Sequence, residues 1–242
     1  MPSMYELKKA LLYPRTLYMR KKEAHLDGFI RSALDLHYYR PTFYNFIAAS
    51  VEKPDLLHDI NIDKDSIVLD IGAYIGDWAR VIFDRYQCKI HAFEPNPETL
   101  PRLLARANGE WECHDYGVSG ATEELQMSMN GMGSSVFDLG SSDKNPEYKS
   151  VQLRAIDEVW SDLGYGDVDL MKINIEGGEF PLLEKMITTD LLPKVRIFMI
   201  QFHEWHPGAY VRRWKIRREL RKTHVQRWGY HFIWEYWERK DS

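Results

Sequence analysis

The sequence predicts an α/β fold in which a mostly parallel sheet carries helices on both faces. Three observations lead there: an apolar run at 66–71 that ends in glycine, regular alternation of strand and helix patterns after it, and the strongly apolar stretch VRIFMIQF at 195–202. Strands buried on both faces read as near-continuous apolar runs. Alternation of such runs with helical patterns is the signature of a doubly wound sheet.

The elements follow in order. Between 24 and 57, Phe29, Ile30, Ala33 and Leu36 recur at helical spacing, and Pro41 divides the stretch into two helices. This region reads as an N-terminal helical cap. The first strand, 66–71, is followed by a helix over 77–86, a strand at 89–93 and a helix over 97–107. A third strand is expected at 112–118 and a fourth at 168–175, with a helix over 178–187 before the strand at 195–202. Between the third and fourth strands, EELQMSM, SSVFDL and SVQLRAI are short alternating pieces separated by Gly, Ser and Asn. They predict a β-rich insertion of antiparallel strands and loops. After Pro207 a basic helix is expected to about Arg227, then a final strand at 230–237.

The 242 residues suit one main domain, expected at 61–242, behind a helical extension at 1–60. Hydrophobic content of 44%, charged content of 28% and a net charge of -4 are ordinary for a globular protein and give no overall attraction to polyanions. Cys88 and Cys113 form neither a disulfide framework nor a metal-ligand cluster, as expected of thiols in a reducing compartment. No apolar run approaches the roughly 20 residues that span a bilayer, and residues 1–22 lack the apolar core of a secretory signal. A cytoplasmic location is therefore expected. Peripheral membrane contact stays open, because residues 1–22 interleave Lys and Arg with Tyr and Leu.

The chemistry is concentrated where the first strand turns into the first helix: Asp70, Gly72, Ala73, Tyr74, Gly76, Asp77 and Trp78. The glycines are spaced G-x-x-x-G. A dinucleotide fold would use G-x-G-x-x-G, whose second glycine admits a pyrophosphate. A carboxylate at Asp70 repels a diphosphate but suits the ammonium group of a methionine moiety. The spacing thus points to S-adenosylmethionine (SAM) rather than NAD. Glu94, at the end of the second strand and followed by Pro95, lies where an acid accepts hydrogen bonds from ribose hydroxyls. Asp115 and Gly117, near the end of the third strand, are expected beside the adenine ring.

Four segments, VLDIGAYIGDW (68–78), HAFEPNPETL (91–100), DLMKINIEGGEFPLL (169–183) and IQFHEW (200–205), together resemble the FkbM family of SAM-dependent methyltransferases. The resemblance spans about residues 60–235 and implies a Rossmann-like class I methyltransferase sheet. It also implies O-methylation of a hydroxyl on a sugar, glycan or glycosylated natural product. Three positions depart from the family pattern. Tyr74 stands where asparagine is usual, Asn174 where aspartate is usual, and Gln201 where an acid often precedes Phe202 and His203. The last two remove negative charge from the acceptor side. Hard divalent ions need charged oxygen ligands, so no metal is expected in the site.

A hydroxyl becomes a competent nucleophile when a base takes its proton. The candidates, on the loops after the fourth and fifth strands, are Asn174, Glu176, Glu179, His203, Glu204 and His206. His203 is the first choice as base because its side chain titrates near neutral pH. Glu176 is expected to orient it. Asn174 is expected to donate to the acceptor or to the cofactor's carboxylate. Lys172 either points to the site or pairs with Asp70 or Glu179. Ser134 and Ser135 are candidates for closing over the acceptor.

The tail from Arg212 to Arg227 is basic and surrounded by Trp205, Trp214, Trp228, Trp234 and Trp237. It is expected to be a solvated cationic helix balanced by the acidic remainder, with Trp side chains in the core; the alternatives are binding of a nucleic acid, a glycan or an anionic membrane. The expected partner is a small-molecule or glycan acceptor. A nucleic-acid methyltransferase is the alternative enzyme, disfavoured because INIEGG lacks the Asn/Asp-Pro-Pro-aromatic motif that holds an exocyclic amine. A non-catalytic SAM-binding subunit is the alternative of a different class. Oligomeric state is not legible in the sequence.

Overall fold

A computed structural model of the protein describes residues 40–128 and 148–240. Two compact units divide the chain, Met1–Leu56 and Leu57–Ser242. In the first, the described element is helix α1, Arg40–Glu52, with Pro41 in its first turn where the missing N–H costs nothing. The expected helix before Pro41, the amphipathic segment at 1–22 and the pair Ser134 and Ser135 lie outside the described residues.

The second unit is built on a seven-stranded sheet. Its elements are β1 (Ile67–Ile71), α2 (Asp77–Tyr86), β2 (Lys89–Phe93), α3 (Leu100–Ala107) and β3 (Glu112–His114), then β4 (Gly117–Ser119), β5 (Glu123–Ser128), β6 (Tyr148–Ala155) and α4 (Ile156–Leu163). They continue with β7 (Val168–Ile173), α5 (Glu179–Thr188), β8 (Val195–Ile200), α6 (Ala209–Thr223), β9 (His224–Tyr230) and β10 (Trp234–Arg239). The strand order is β3-β2-β1-β7-β8-β10-β9. All neighbours through β8 run parallel, and β10 is antiparallel to both β8 and β9. This is the expected Rossmann-like α/β sheet. β2 and β7 lie on opposite sides of β1, so the strand order reverses there, and right-handed crossovers carry the connecting helices to opposite faces. The crevice beyond the carboxyl ends of β1 and β7 is where such a sheet takes a ligand.

Four local departures from the sequence reading have physical causes. The expected third strand splits into β3, in the main sheet, and β4, which leaves it to pair with β6. The β-rich insertion is present as β5 antiparallel to β6, but β6 runs directly into α4, whose buried Ile156, Val159 and Trp160 form a helical stripe. Helix α6 stops at Thr223 rather than near Arg227. From His224 the exposure alternates residue by residue, so the last of the basic residues belongs to a strand, β9, whose period is masked by Arg227 and Gln226.

Burial explains why the central strands are so apolar. Val68, Leu69 and Ile71 of β1 and Ile197, Phe198, Met199 and Ile200 of β8 have no exposed surface. Cys88 is buried, and desolvation pushes its thiol up to about 11, so it stays neutral packing material. At the other edge, Glu235 of β10 is buried and receives Arg213 Nε at 2.7 Å and Trp237 Nε1 at 2.8 Å. Part of the basic tail is thus neutralised from within. Arg227 likewise pairs with Glu238 at 2.6 Å. No helix among the described residues is long and apolar enough to cross a membrane. Replacing Glu235 by Ala leaves the Arg213 guanidinium buried and uncompensated, and chemical denaturation is expected to show a loss of about 3–5 kcal/mol. A loss below about 1 kcal/mol would show that the pair holds nothing together.

Candidate active site

The loop after β1 is fixed before any ligand arrives. Gly72 has φ 83°, and a Cβ there would sit 2.0 Å from the Asn174 carbonyl oxygen. Glycine is therefore required by the close approach of the β1 and β7 ends, as well as by its left-handed backbone. Tyr74 also takes a left-handed φ of 54°. Asparagine, the residue the family resemblance leads one to expect there, tolerates that region better than tyrosine does. The Tyr74 N–H donates to Glu94 Oε2 at 2.8 Å, which helps hold the turn.

Asp70 is absent from the cavity lining, and its Oδ2 is buried without a hydrogen-bond partner. It is fully buried, and Oδ1 accepts Lys172 Nζ at 2.8 Å. Lys172 also donates to the Gly72 carbonyl at 2.8 Å. Of the alternatives for Lys172, facing the site or pairing with an acid, the pairing with Asp70 is the one realised. The carboxylate expected to meet a methionine ammonium instead braces the loop from beneath. Ala73 is buried with its N–H on the Phe93 carbonyl. Gly76 packs against Leu103, Asp77 pairs with Arg106 at 2.9 Å, and Trp78 donates Nε1 to the Leu57 carbonyl at 3.0 Å. Asp115 is exposed on the strand edge.

A cavity of about 780 Å³ opens at the switch point. Gly72, Tyr74, Glu94, Pro95, Gly117, Asn174, Glu176 and His206, eight of the residues singled out in the sequence, line it. Asp70, Ala73, Gly76, Asp77, Trp78, Asp115 and His203 do not. Residues that the sequence reading missed complete the wall. Val118 and Ser119 come from β4, Leu125 and Met127 from β5, and Glu184 and Lys185 from α5. The insertion is therefore one side of the site. Its alternating pattern signalled a strand but not which end of the fold it would reach.

Glu94 lines the cavity, and its Oε1 accepts the Asn96 N–H at 2.9 Å and Oε2 that of Tyr74, with Thr99 as a further hydrogen-bond partner. Burial raises its pKa, and these backbone hydrogen bonds oppose the rise. Asn174 lines the cavity, and its Oδ1 is buried without a hydrogen-bond partner. A buried acceptor without a donor is costly, so this atom asks for a ligand N–H or O–H. The volume, the two acceptors and the apolar walls fit an elongated, cationic, nucleoside-bearing molecule.

The loop after β7 is organised by Glu179. Its buried carboxylate accepts the N–H of Gly177 at 2.8 Å, the N–H of His203 at 2.7 Å and His203 Nδ1 at 3.2 Å. Glu176 Oε1 lies 3.5 Å from His203 Nε2. Burial lowers the His203 pKa, but the charges and hydrogen bonds of Glu179 and Glu176 outweigh it and lift it to about 10. An imidazolium between two carboxylates has no proton vacancy at neutral pH. This environment favours the protonated ring, whereas the role expected of His203 as base needs a neutral one.

His206, by contrast, lines the cavity. Its Nδ1 is 2.9 Å from the Pro207 carbonyl, which can only accept, so Nδ1 carries the hydrogen, and Arg212 Nη1, which can only donate, lies 3.4 Å from Nε2. Burial, aided by the nearby Arg212 charge, lowers its pKa despite that hydrogen bond. Arg212 is itself held by Glu184 through two contacts of 2.6 and 2.7 Å.

The Methyltransferase FkbM domain model matches residues 70–232. The chain belongs to the FkbM methyltransferase family. Among curated relatives of this FkbM domain, the hexuronic acid methyltransferase AglP of Haloferax volcanii is 24% identical over 144 residues, covering 58% of this chain and 57% of its own. A probable methyltransferase-like protein 24 of Rattus norvegicus is 21% identical over 160 residues, covering 61% and 44%. The chain thus spans about half the length of the curated relatives it matches. Among solved structures, an rRNA methylase from Streptococcus thermophilus aligns over 74% of this chain and 89% of its own, at 13% identity and TM-score 0.41.

His203 has a folded-state pKa above its unfolded value, so it stabilises the fold fully below about pH 6.5. That contribution is lost as pH rises through about 10. Denaturation midpoints of the wild type and His203→Gln are therefore expected to converge over this window. A gap that is constant from pH 6 to 10 would contradict the ion-pair assignment.

Proposed function

We propose that the chain transfers a methyl group from S-adenosylmethionine to a hydroxyl of a sugar, glycan or glycosylated natural product. The observation that carries this reading is the convergence of Glu94, Asn174 and His206 on one cavity at the switch point of an FkbM-family sheet. Glu94 offers its remaining lone pairs to ribose hydroxyls, and the unpartnered Asn174 Oδ1 accepts from the ammonium group. When bound, SAM supplies an electrophilic methyl on a sulfonium. The chain's own task is to aim the acceptor oxygen and relieve it of its proton.

His206 Nε2 takes that proton in this reading, and His203, held as an imidazolium, positions the loop it shares with His206. Support for a sugar acceptor comes from the relative named as a hexuronic acid methyltransferase. The nucleic-acid alternative is weaker because Arg212, Arg213 and Arg227 of the basic tail are each engaged by a carboxylate.

Calorimetry is expected to show SAM binding, weakened about ten- to hundredfold in Glu94→Gln through loss of charge-assisted hydrogen bonds. Folded protein that does not bind SAM would end the proposal. With an acceptor found by screening uronic-acid glycans and RNAs, His206→Gln is expected to lower kcat by about a hundredfold or more at unchanged SAM affinity. Full activity in that variant would remove His206 as base, and methylation of RNA alone would overturn the sugar reading.

A further inference from the structure

On the β2–β3 edge of the sheet, three side chains unconnected to the proposed reaction converge. Strand alternation puts Glu112 and His114 of β3 on the same face, and the parallel register sets His91 of β2 opposite Glu112. His91 is buried, His114 half-buried and Glu112 exposed. His91 Nδ1 lies 3.1 Å from His114 Nε2 and 3.4 Å from Glu112 Oε2. One ligand atom from each residue falls within 4.8 Å of the others.

We propose that His91 Nδ1, His114 Nε2 and the Glu112 carboxylate bind one divalent transition-metal ion of the zinc class, with water as a fourth ligand. Bonds of about 2.0–2.1 Å in a tetrahedron put neighbouring ligand atoms about 3.4 Å apart, close to the two separations on His91. Glu112, on the exposed side, can swing to close its remaining edge. Two imidazoles and a carboxylate suit zinc better than calcium or magnesium, which prefer all-oxygen shells.

The surroundings make the same case. Ligating histidines hold their other ring nitrogen on an outer partner, and here each has a tyrosine. Tyr165 OH is 2.9 Å from His91 Nε2, and Tyr116 OH is 3.5 Å from His114 Nδ1. This leaves Nδ1 of His91 and Nε2 of His114 pointing at each other, an arrangement in which two lone pairs repel unless a proton or a metal sits between them. The His114 ring is further fixed by stacking on Phe93 at 4.4 Å. A bound ion would fasten edge strand β3 to β2 and to the Tyr165 loop, bracing the sheet edge without entering the cavity.

The test uses the full chain, with any histidine tag cleaved, stripped by chelator and dialysed. Titration with Zn2+ is expected to give one ion per chain and a raised Tm. Co2+ loaded in its place is expected to give visible absorption bands of a tetrahedral nitrogen–oxygen site. Glu112→Gln, at an exposed position that the fold does not need, is expected to weaken Zn2+ binding at least about tenfold, and His114→Asn to abolish the Co2+ bands. No Zn2+ bound by folded protein, or unchanged affinity and spectra in both variants, would overturn the site. Because SAM binding is measured separately, failure here leaves the methyl-transfer reading intact.

Discussion

The buried contact between Lys172 and Asp70 is the constraint on which the site depends. Two opposite charges in a dry interior are retained only with good geometry and further hydrogen bonds. Lys172 meets that condition by donating to Asp70 and to the Gly72 carbonyl at the same distance of 2.8 Å. One side chain from β7 therefore ties down both the end of β1 and the turn beyond it. The close approach of Gly72 to the Asn174 carbonyl completes the lock, since any Cβ would push the two strand ends apart. The mouth of the cavity is preorganised by the same contacts that hold the centre of the sheet.

Glu179 plays the corresponding part on the acceptor side. It gathers the Gly177 amide and both the backbone and ring of His203, joining the loops after β7 and β8. Gly177 takes φ 102°, and a Cβ there would press on His206 and Trp205, so this glycine keeps His206 at the cavity wall. A histidine between two carboxylates and a histidine beside an arginine acquire opposite pKa shifts within three residues of each other. Their surroundings differ accordingly: His203 sits between two carboxylates, and His206 lines the cavity beside Arg212.

The positions of the main strands along the chain were legible from the sequence because strands buried on both faces must be continuously apolar, and those at 66–71, 89–93 and 195–202 are. The helix at 77–86 was legible for a related reason, its apolar stripe at helical spacing. Where a segment is half-exposed the signal weakens. β9 was hidden because Arg227, at one of its outward positions, continues the basic run on α6. Within the site, Glu94 and Asn174 were legible through their places at strand ends. His206 was only one of several candidates, since nothing local distinguishes it from His203.

By itself, the sequence determined the α/β class, the turn that needs glycine after β1 and the family, because these rest on local periodicity, backbone geometry and contiguous motifs. The tertiary structure alone decided which carboxylates line the cavity and which face a lysine or a histidine. Asp70 and Glu94 look equivalent along the chain, each an acid at a strand end. Asp70 is consumed by Lys172, 102 residues away, whereas Glu94 opens on the cavity. Partners that distant are set by strand register and packing, and those determine the charge state and accessibility of each group.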